Sequence, residues 1–493
     1  MDIGAQASAF LVDYSPYLLI LSWTILGIGV AQNLVYALQL PAAWAELRER
    51  SQAEDSESAF QLLISDVAMP ISLVVPGYNE EATIVESVRS MLSLRYPDLE
   101  IIVVNDGSKD GTLQALIDAF QLQPVTRAHE EAVKHQPIRQ VYGSSMYARL
   151  LVVDKHNGGK SDAINAGINL SRNPLFCVVD ADSLLEIESL LSSVRPFMED
   201  PRHMIAVGGT IRVLNGCVVK NGQVIQSGLP RKFLPLVQYM EYIRAYLMAR
   251  LAWSRWGILT LISGAFGIFR RSVAVEVGGF THGTVGEDYE LIVKMHKHMR
   301  NQDRVYSLRY VPEPVCWTEA PETLKVLSNQ RKRWQRGALE VFFRHRDMLL
   351  NPRYGKVGML GFLNNLIIDV LGPIAEVLGY ILMPLFWIAG VFSFDFFLAY
   401  VALFFAFGVF ISVCSLILEE LELRRVPRAS DLALLLGVAI VENFGYRQLT
   451  NVWRIIGWWE FLRGKTSWGT MTRKGFGPKP GSEAAMTITP KNA

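Results

Sequence analysis

Two kinds of apolar pattern divide this chain. From Met69 to about Asp200, short β-branched runs alternate with stretches of helical spacing. Ile71–Val75, Ile101–Val104, Leu150–Val153 and Phe176–Val179 are unbroken apolar runs, which is how strands buried on both faces read. Thr83–Leu94, Thr112–Phe120, Ser161–Leu170 and Glu186–Met198 carry the helical period. This alternation predicts an α/β domain built on a mostly parallel, doubly wound sheet. Longer apolar stretches flank it. Tyr17–Leu40 holds no charged residue and is long enough to cross about 30 Å of hydrocarbon. Beyond Val357, Val377–Phe394 and Phe396–Leu418 form a second apolar pair, predicted as a hairpin with its tip near Asp395.

The expected organisation is an anchor over residues 1–45, a soluble domain over 67–350, apolar helices over 357–450, and an interfacial helix with a basic tail over 451–493. No Lys or Arg precedes the first span, which reads as a retained anchor and not a cleaved signal. Asp2 and Asp13 precede it while Arg48 and Arg50 follow, which places the soluble domain in the cytosol. Leu432–Leu449 contains Glu442, Asn443 and Arg447, so it reads either as a third span lining a polar path or as a helix at the interface. Arg463, Lys465, Arg473 and Lys474 favour a cytosolic tail. Residues 234–262 are apolar but broken by Glu241, Arg244, Arg250 and Arg255, and read as interfacial, as does the basic stretch 321–350.

Composition narrows the classes. Half the residues are apolar, and 48 Lys+Arg against 47 Asp+Glu leave no bulk charge to draw nucleic acid. Four scattered cysteines form neither a disulfide framework nor a zinc cluster.

The polar signals sit at the carboxyl ends of the predicted strands, where doubly wound sheets bind ligands. Val75–Glu81 reads V-P-G-Y-N-E-E. Asp106 lies in N-D-G-S-K-D-G-T and is positioned to accept from a nucleobase imide; an Asp-Gly turn is the plain alternative. K-H-N-G-G-K, with Lys155 and Lys160, suits approach to a diphosphate ahead of a helix start. It is not a G-x-x-x-x-G-K-[ST] loop, so nucleotide hydrolysis gains no support. Asp180 and Asp182 lie two apart after an apolar strand, so their carboxylates face one side and suit Mg²⁺ or Mn²⁺. Gly286-Glu287-Asp288 opens a helical stretch; Asp288 is the expected general base and Glu287 its positioning neighbour. Gln330–Trp334 reads Q-R-K-R-W, where Arg333 suits diphosphate charge and Trp334 a sugar ring.

With these residues in place, the chain resembles the processive family-2 glycosyltransferases, the group of cellulose, chitin, hyaluronan and poly-N-acetylglucosamine synthases. The resemblance is good over about Met69–His345, and the ordered set of motifs is its specific part. It implies a GT-A fold, a UDP-sugar donor (UDP-N-acetylglucosamine or UDP-glucose), inversion at the anomeric centre and a growing β-linked glycan acceptor. It also implies a multi-pass enzyme of the bacterial inner membrane with a cytoplasmic catalytic domain. On the same basis Asp106 holds uracil, Asp180 the nucleotide, and Asp182 the metal. Gln330, Arg333 and Trp334 hold the diphosphate and the acceptor end, and Ser263-Gly264 lies near the acceptor. Pro76, Tyr78, Glu80 and Lys160 complete the donor side. Gly77 stands where relatives often have Ala, and the hairpin expected within Gly209–Leu234 matches no known role. A single leading anchor leaves room for accessory secretion subunits or a homodimer. The alternative is a single-addition, lipid-directed transferase like the dolichyl-phosphate sugar synthases, which shares the strand ends but does not require the tryptophan.

Overall fold

The computed structural model describes residues 15–53, 68–388, 393–423 and 428–465. Asp2, Asp13, Arg424, Arg425, Arg473 and Lys474 lie outside them, so the charge readings at those positions have no structural counterpart.

In chain order the helix α1 (Ser15–Ala53) is followed by β1 (Ile71–Gly77), α2 (Ile84–Leu92), β2 (Leu99–Asn105) and α3 (Thr112–Phe120). Then come β3 (Leu122–Val125), β4 (Ile138–Ser144), β5 (Leu150–Lys155), α4 (Lys160–Leu170), β6 (Leu175–Val179), β7 (Leu184–Leu185) and α5 (Ser189–Glu199). One sheet of ten strands runs β3-β4-β5-β2-β1-β6-β11-β8-β12-β7, where β8 is Met204–Val213, β11 Phe266–Arg270 and β12 Ser307–Thr318. β5, β2, β1 and β6 are parallel, as the apolar runs predicted. The fold is a mostly parallel sheet with helices on its faces, the GT-A-like class expected. Its core is dense: Gly167 of α4 lies so close to β1 that a Cβ there would stand 2.3 Å from a Val74 methyl.

Beyond the parallel strands, β11 runs antiparallel to both β6 and β8. Phe266 pairs with Val179, so the segment just before β11 is delivered to the carboxyl end of β6. The expected hairpin exists as β9 (Val218–Lys220) and β10 (Gln223–Gln226), turning at Asn221 and Gly222, both at positive φ.

The segment expected at the interface is α6 (Phe233–Tyr242), a π-helical stretch (Ile243–Ala249) and α7 (Arg250–Trp256). It is largely buried, packed between the sheet and the apolar helices. After α8 (Arg271–Glu276) and α9 (Glu287–Asn301), the basic segment forms α10 (Leu324–Arg344). Next come α11 (Gly372–Ile388), α12 (Phe394–Leu423), α13 (Ala429–Val441) and α14 (Tyr446–Leu462).

Among the described residues, three helices are long and apolar enough to cross a membrane: Ile20–Arg50, Val357–Ile388 and Phe404–Leu421. A fourth arises if α13 and α14, bent by 56° at their junction, count as one span. These helices mark a membrane protein. The second begins at Val357, ahead of the apolar run Val377–Phe394, and takes in Asp369 and Glu376. Glu376 is tolerated there because it accepts hydrogen bonds from Gln32 and Arg447, each at 3.0 Å, and from Tyr380 and Asn451.

Candidate active site

The topology brings four separate segments to one point. β6 ends into Asp180, α4 begins at Lys160, the strand-preceding turn carries Ser263–Ala265, and α9 begins at Glu287. Lys160 Nζ stands at the centre, 2.6 Å from Asp180 Oδ1, 3.3 Å from Glu287 Oε1 and 3.4 Å from the Gly264 carbonyl. The Gly264 N–H donates to Asp288 Oδ2 at 2.8 Å, and the Tyr289 N–H to Asp288 Oδ1 at 2.8 Å. The carboxylate of Asp288 is therefore held at both oxygens by backbone amides and remains only partly buried. Space at position 264 is tight: an added Cβ would lie 3.1 Å from Lys160 Nζ and 3.3 Å from Asp288 Oδ2, so both side chains would have to shift.

The charges are interdependent. Burial works against the Lys160 ammonium, but Asp180, Glu287 and Asp288 outweigh it and hold the lysine above its ordinary range. Burial pushes the Glu287 carboxyl up to about 7; Lys160 opposes the shift, Asp288 adds to it, and Arg333 pulls it down. Arg333 thus brings the Q-R-K-R-W helix into the electrostatics of this site. Glu287 and Asp288 also occupy the first turn of α9, where the helix dipole favours negative charge.

Asp182 is buried beside Asp180. Burial pushes the neighbouring Cys316 thiol up, and the charges of Asp180 and Asp182 add to the shift, so that sulfur stays protonated. Two carboxylates with no thiolate or imidazole make a hard-oxygen set, the kind Mg²⁺ and Mn²⁺ take. Asp180 is paired with Lys160.

The diphosphate reading of Lys155 is corrected, and Asp106, the expected nucleobase acceptor, has its carboxylate turned toward that lysine. Lys155 is fully buried and donates to Asp106 Oδ1 at 2.7 Å, while its ammonium also pairs with Asp162. The remaining Asp106 acceptor positions are taken by the Gly158 N–H at 3.0 Å, the Gly159 N–H at 2.8 Å and the Asn157 amide at 3.1 Å. Asp106 shapes the H-N-G-G turn that leads into α4 and so sets where Lys160 begins. The turn-forming reading of the Asp-Gly pair is the one this geometry carries.

The other expected residues fall around the centre. Pro76 is the penultimate residue of β1, opposite Val104 of β2. Tyr78 is exposed, and Glu80 receives the Thr83 hydroxyl at 2.9 Å while its own N–H donates to Thr112. Ser263 bonds the buried Tyr246 of the π-helical stretch, whose phenol burial pushes up. Gln330 is buried, with no hydrogen-bond partner at Oε1 among the described residues. Trp334 is 43% exposed and lies under the Arg331 guanidinium, 4.4 Å from its ring centroid. Arg331 also pairs with Glu241, which accepts from Tyr446 at 3.0 Å. Trp334 therefore stands where α10 meets α6 and α14, one helical turn from Gln330, and outside the Lys160 network. Sequence reasoning missed Arg331, Glu241 and Tyr446; only the charges broken into the apolar 234–262 segment hinted at them.

The family model described as glycosyltransferase like family 2 matches residues 69–337. Curated relatives include the poly-β-1,6-N-acetyl-D-glucosamine synthases of Staphylococcus epidermidis and Staphylococcus aureus. They are 28% identical to this chain over 274 and 275 residues, or 56% of this chain and 56% of each relative. The chain thus spans about half the length of the curated relatives it matches. Among solved structures, a mannosyltransferase from Pyrobaculum calidifontis in complex with GDP-Man and Mn²⁺ aligns with a TM-score of 0.49 at 16% identity. That alignment covers 88% of this chain and 99% of that one. With the family match covering more than half its length, the chain belongs to the family-2 glycosyltransferases and is a glycosyltransferase.

Proposed function

We propose that this enzyme polymerises a β-linked polysaccharide from a UDP-sugar at a membrane, with UDP-N-acetylglucosamine the favoured donor. It adds sugars processively and with inversion, and its catalytic domain faces the cytoplasm of a bacterial inner membrane. The observation that carries this reading is the meeting of Lys160, Asp180, Gly264, Glu287 and Asp288 at one point, under the charge of Arg333. The relatives matched over the soluble domain, named as poly-β-1,6-N-acetyl-D-glucosamine synthases, support the choice of sugar.

In this reading Asp288 takes the proton of the acceptor hydroxyl as that oxygen attacks the anomeric carbon. The bond from that carbon to the diphosphate breaks, and its electron pair leaves on the UDP. Lys160 and Arg333 neutralise the departing charge. Asp182, with Asp180, would hold a divalent cation, which would supply further neutralisation of the diphosphate. Gln330 and Trp334, one turn apart on α10, hold the acceptor end. The buried Gln330 oxygen is an acceptor that a sugar hydroxyl would satisfy.

Purified full-length protein in detergent with Mg²⁺ or Mn²⁺ should release UDP from UDP-N-acetylglucosamine faster than from UDP-glucose and yield long chains. A product one sugar long, extracted with lipid, would instead establish the lipid-directed single-addition reading. Asp288→Asn should lower turnover by about 10³-fold or more with donor binding retained. Unchanged turnover would remove Asp288 from the mechanism.

A further inference from the structure

We propose that His129, Glu131 and His135, on the segment joining β3 to β4, form a zinc site outside the transfer cleft. Each residue offers one ligand atom, and the three atoms lie within 4.8 Å of one another. Tetrahedral ligands at about 2.0–2.1 Å from Zn²⁺ stand roughly 3.3 Å apart, so small rotations of the exposed His129 and Glu131 close the set.

The tautomers are already arranged. His135 Nδ1 lies 2.7 Å from the Gln136 carbonyl and His129 Nδ1 lies 3.3 Å from the Arg127 carbonyl. A carbonyl only accepts, so the proton of each neutral ring belongs on Nδ1 and the lone pair on Nε2. A backbone carbonyl behind the ring is how proteins orient a metal-ligating histidine. Among the described residues the buried His135 Nε2 has no hydrogen-bond partner, leaving a lone pair that a cation would take up.

The segment is also pre-ordered. Asn169 holds Val133 at both its N–H (3.0 Å) and its carbonyl (2.7 Å), and the Gln136 N–H donates to Asp162 at 2.9 Å. Two imidazoles and one carboxylate with an open fourth position favour Zn²⁺ over Mg²⁺ or Mn²⁺, which prefer all-oxygen sets. Asp162 also pairs with Lys155, so an ion here would stiffen the ground on which the H-N-G-G turn rests.

The test uses the full chain, stripped with chelator and held in excess Mg²⁺ so that the hard-oxygen site is saturated. Titration with Co²⁺ should give one equivalent with the visible absorption of a four-coordinate ion, displaced by Zn²⁺. His129→Ala/His135→Ala should abolish that band and weaken Zn²⁺ binding by about 100-fold, and Glu131→Gln by ~10-fold. Zinc should raise the melting temperature of the parent protein and not that of the double variant. No cobalt band in the parent protein, or one equivalent of zinc retained by the double variant, would overturn the site. A double variant that melts below the metal-free parent leaves Glu131→Gln to decide: parent-like zinc affinity there overturns the proposal, and the expected weakening supports it.

Discussion

The charge of Glu287 is undecided near neutrality. Its unfolded-state carboxyl releases a proton near 4.5, whereas in the folded chain burial delays release to about 7. Between those values the folded state holds more protons, so raising the pH favours unfolding. The stability contributed by the neutral carboxyl is fully present below about 4.5 and is lost as pH rises through about 7. Glu287→Gln cannot ionise. Its melting temperature should gain on the parent protein as pH climbs from 5 to 8, and the inflection near pH 7 in kcat/KM should vanish. Parallel pH profiles for the two proteins would show that Lys160 keeps Glu287 ionised throughout. The types of acid and base at this centre were readable from D-A-D, G-E-D and the basic run. The pairing of Lys155 with Asp106 was not, because an Asp-Gly turn and a lysine look the same in sequence whether they face ligand or each other.

At the scale of elements, α10 is registered against the G-E-D turn by two glycines. An added Cβ on Gly337 would stand 3.0 Å from the Gly286 Cα, so the helix and the turn touch backbone to backbone. This contact sets how far Arg333 stands from Glu287. Gly337→Val should drive the two apart, cutting kcat/KM by about 100-fold because small displacements of charged groups are costly in a preorganised site. It should also destabilise the fold by about 1–3 kcal/mol. Activity within twofold of the parent protein would show the contact to be incidental. The parallel strands were legible because strands covered on both faces are unbroken apolar runs. β3 and β4 were not: β3 contains Pro124, and β4 is an edge-side strand whose polar residues blur the pattern. The antiparallel β11 is short, and its direction depends on pairings with β6 and β8 that no local sequence encodes.

Across the whole molecule, the soluble domain is fastened to the apolar helices by buried ion pairs between residues far apart in the chain. Arg212 of β8 reaches Glu419 of α12 and donates to the Tyr239 hydroxyl at 2.9 Å. Arg244 likewise meets Glu442, which also accepts from Ser412. Removing one partner leaves the other as a buried, uncompensated charge. Glu419→Gln should therefore cost about 3–5 kcal/mol, whereas Arg212→Met/Glu419→Leu should recover much of that loss. Thermal unfolding in detergent reads both, and equal losses would mean that the pair carries no net charge penalty. Such pairings were invisible in the sequence, where Glu442 and Arg447 left a span and an interfacial helix equally open. The bend between α13 and α14 shows why one straight period did not fit.

The first helix gives the enzyme a fixed stature. α1 runs unbroken for 39 residues, about 58 Å, well beyond the thickness of the hydrocarbon it would cross. Its far end is gripped by the soluble domain, where Arg255 bridges Glu49 at 2.6 Å and Glu46 at 3.3 Å. These pairs, beyond Pro41 within the helix, tie α1 to the soluble domain, and the surrounding lipid sets the angle at which the anchor tilts. Synthesis in nanodiscs should peak at one acyl-chain length and decline on either side. A flat response would mean that α1 swings freely on its mooring.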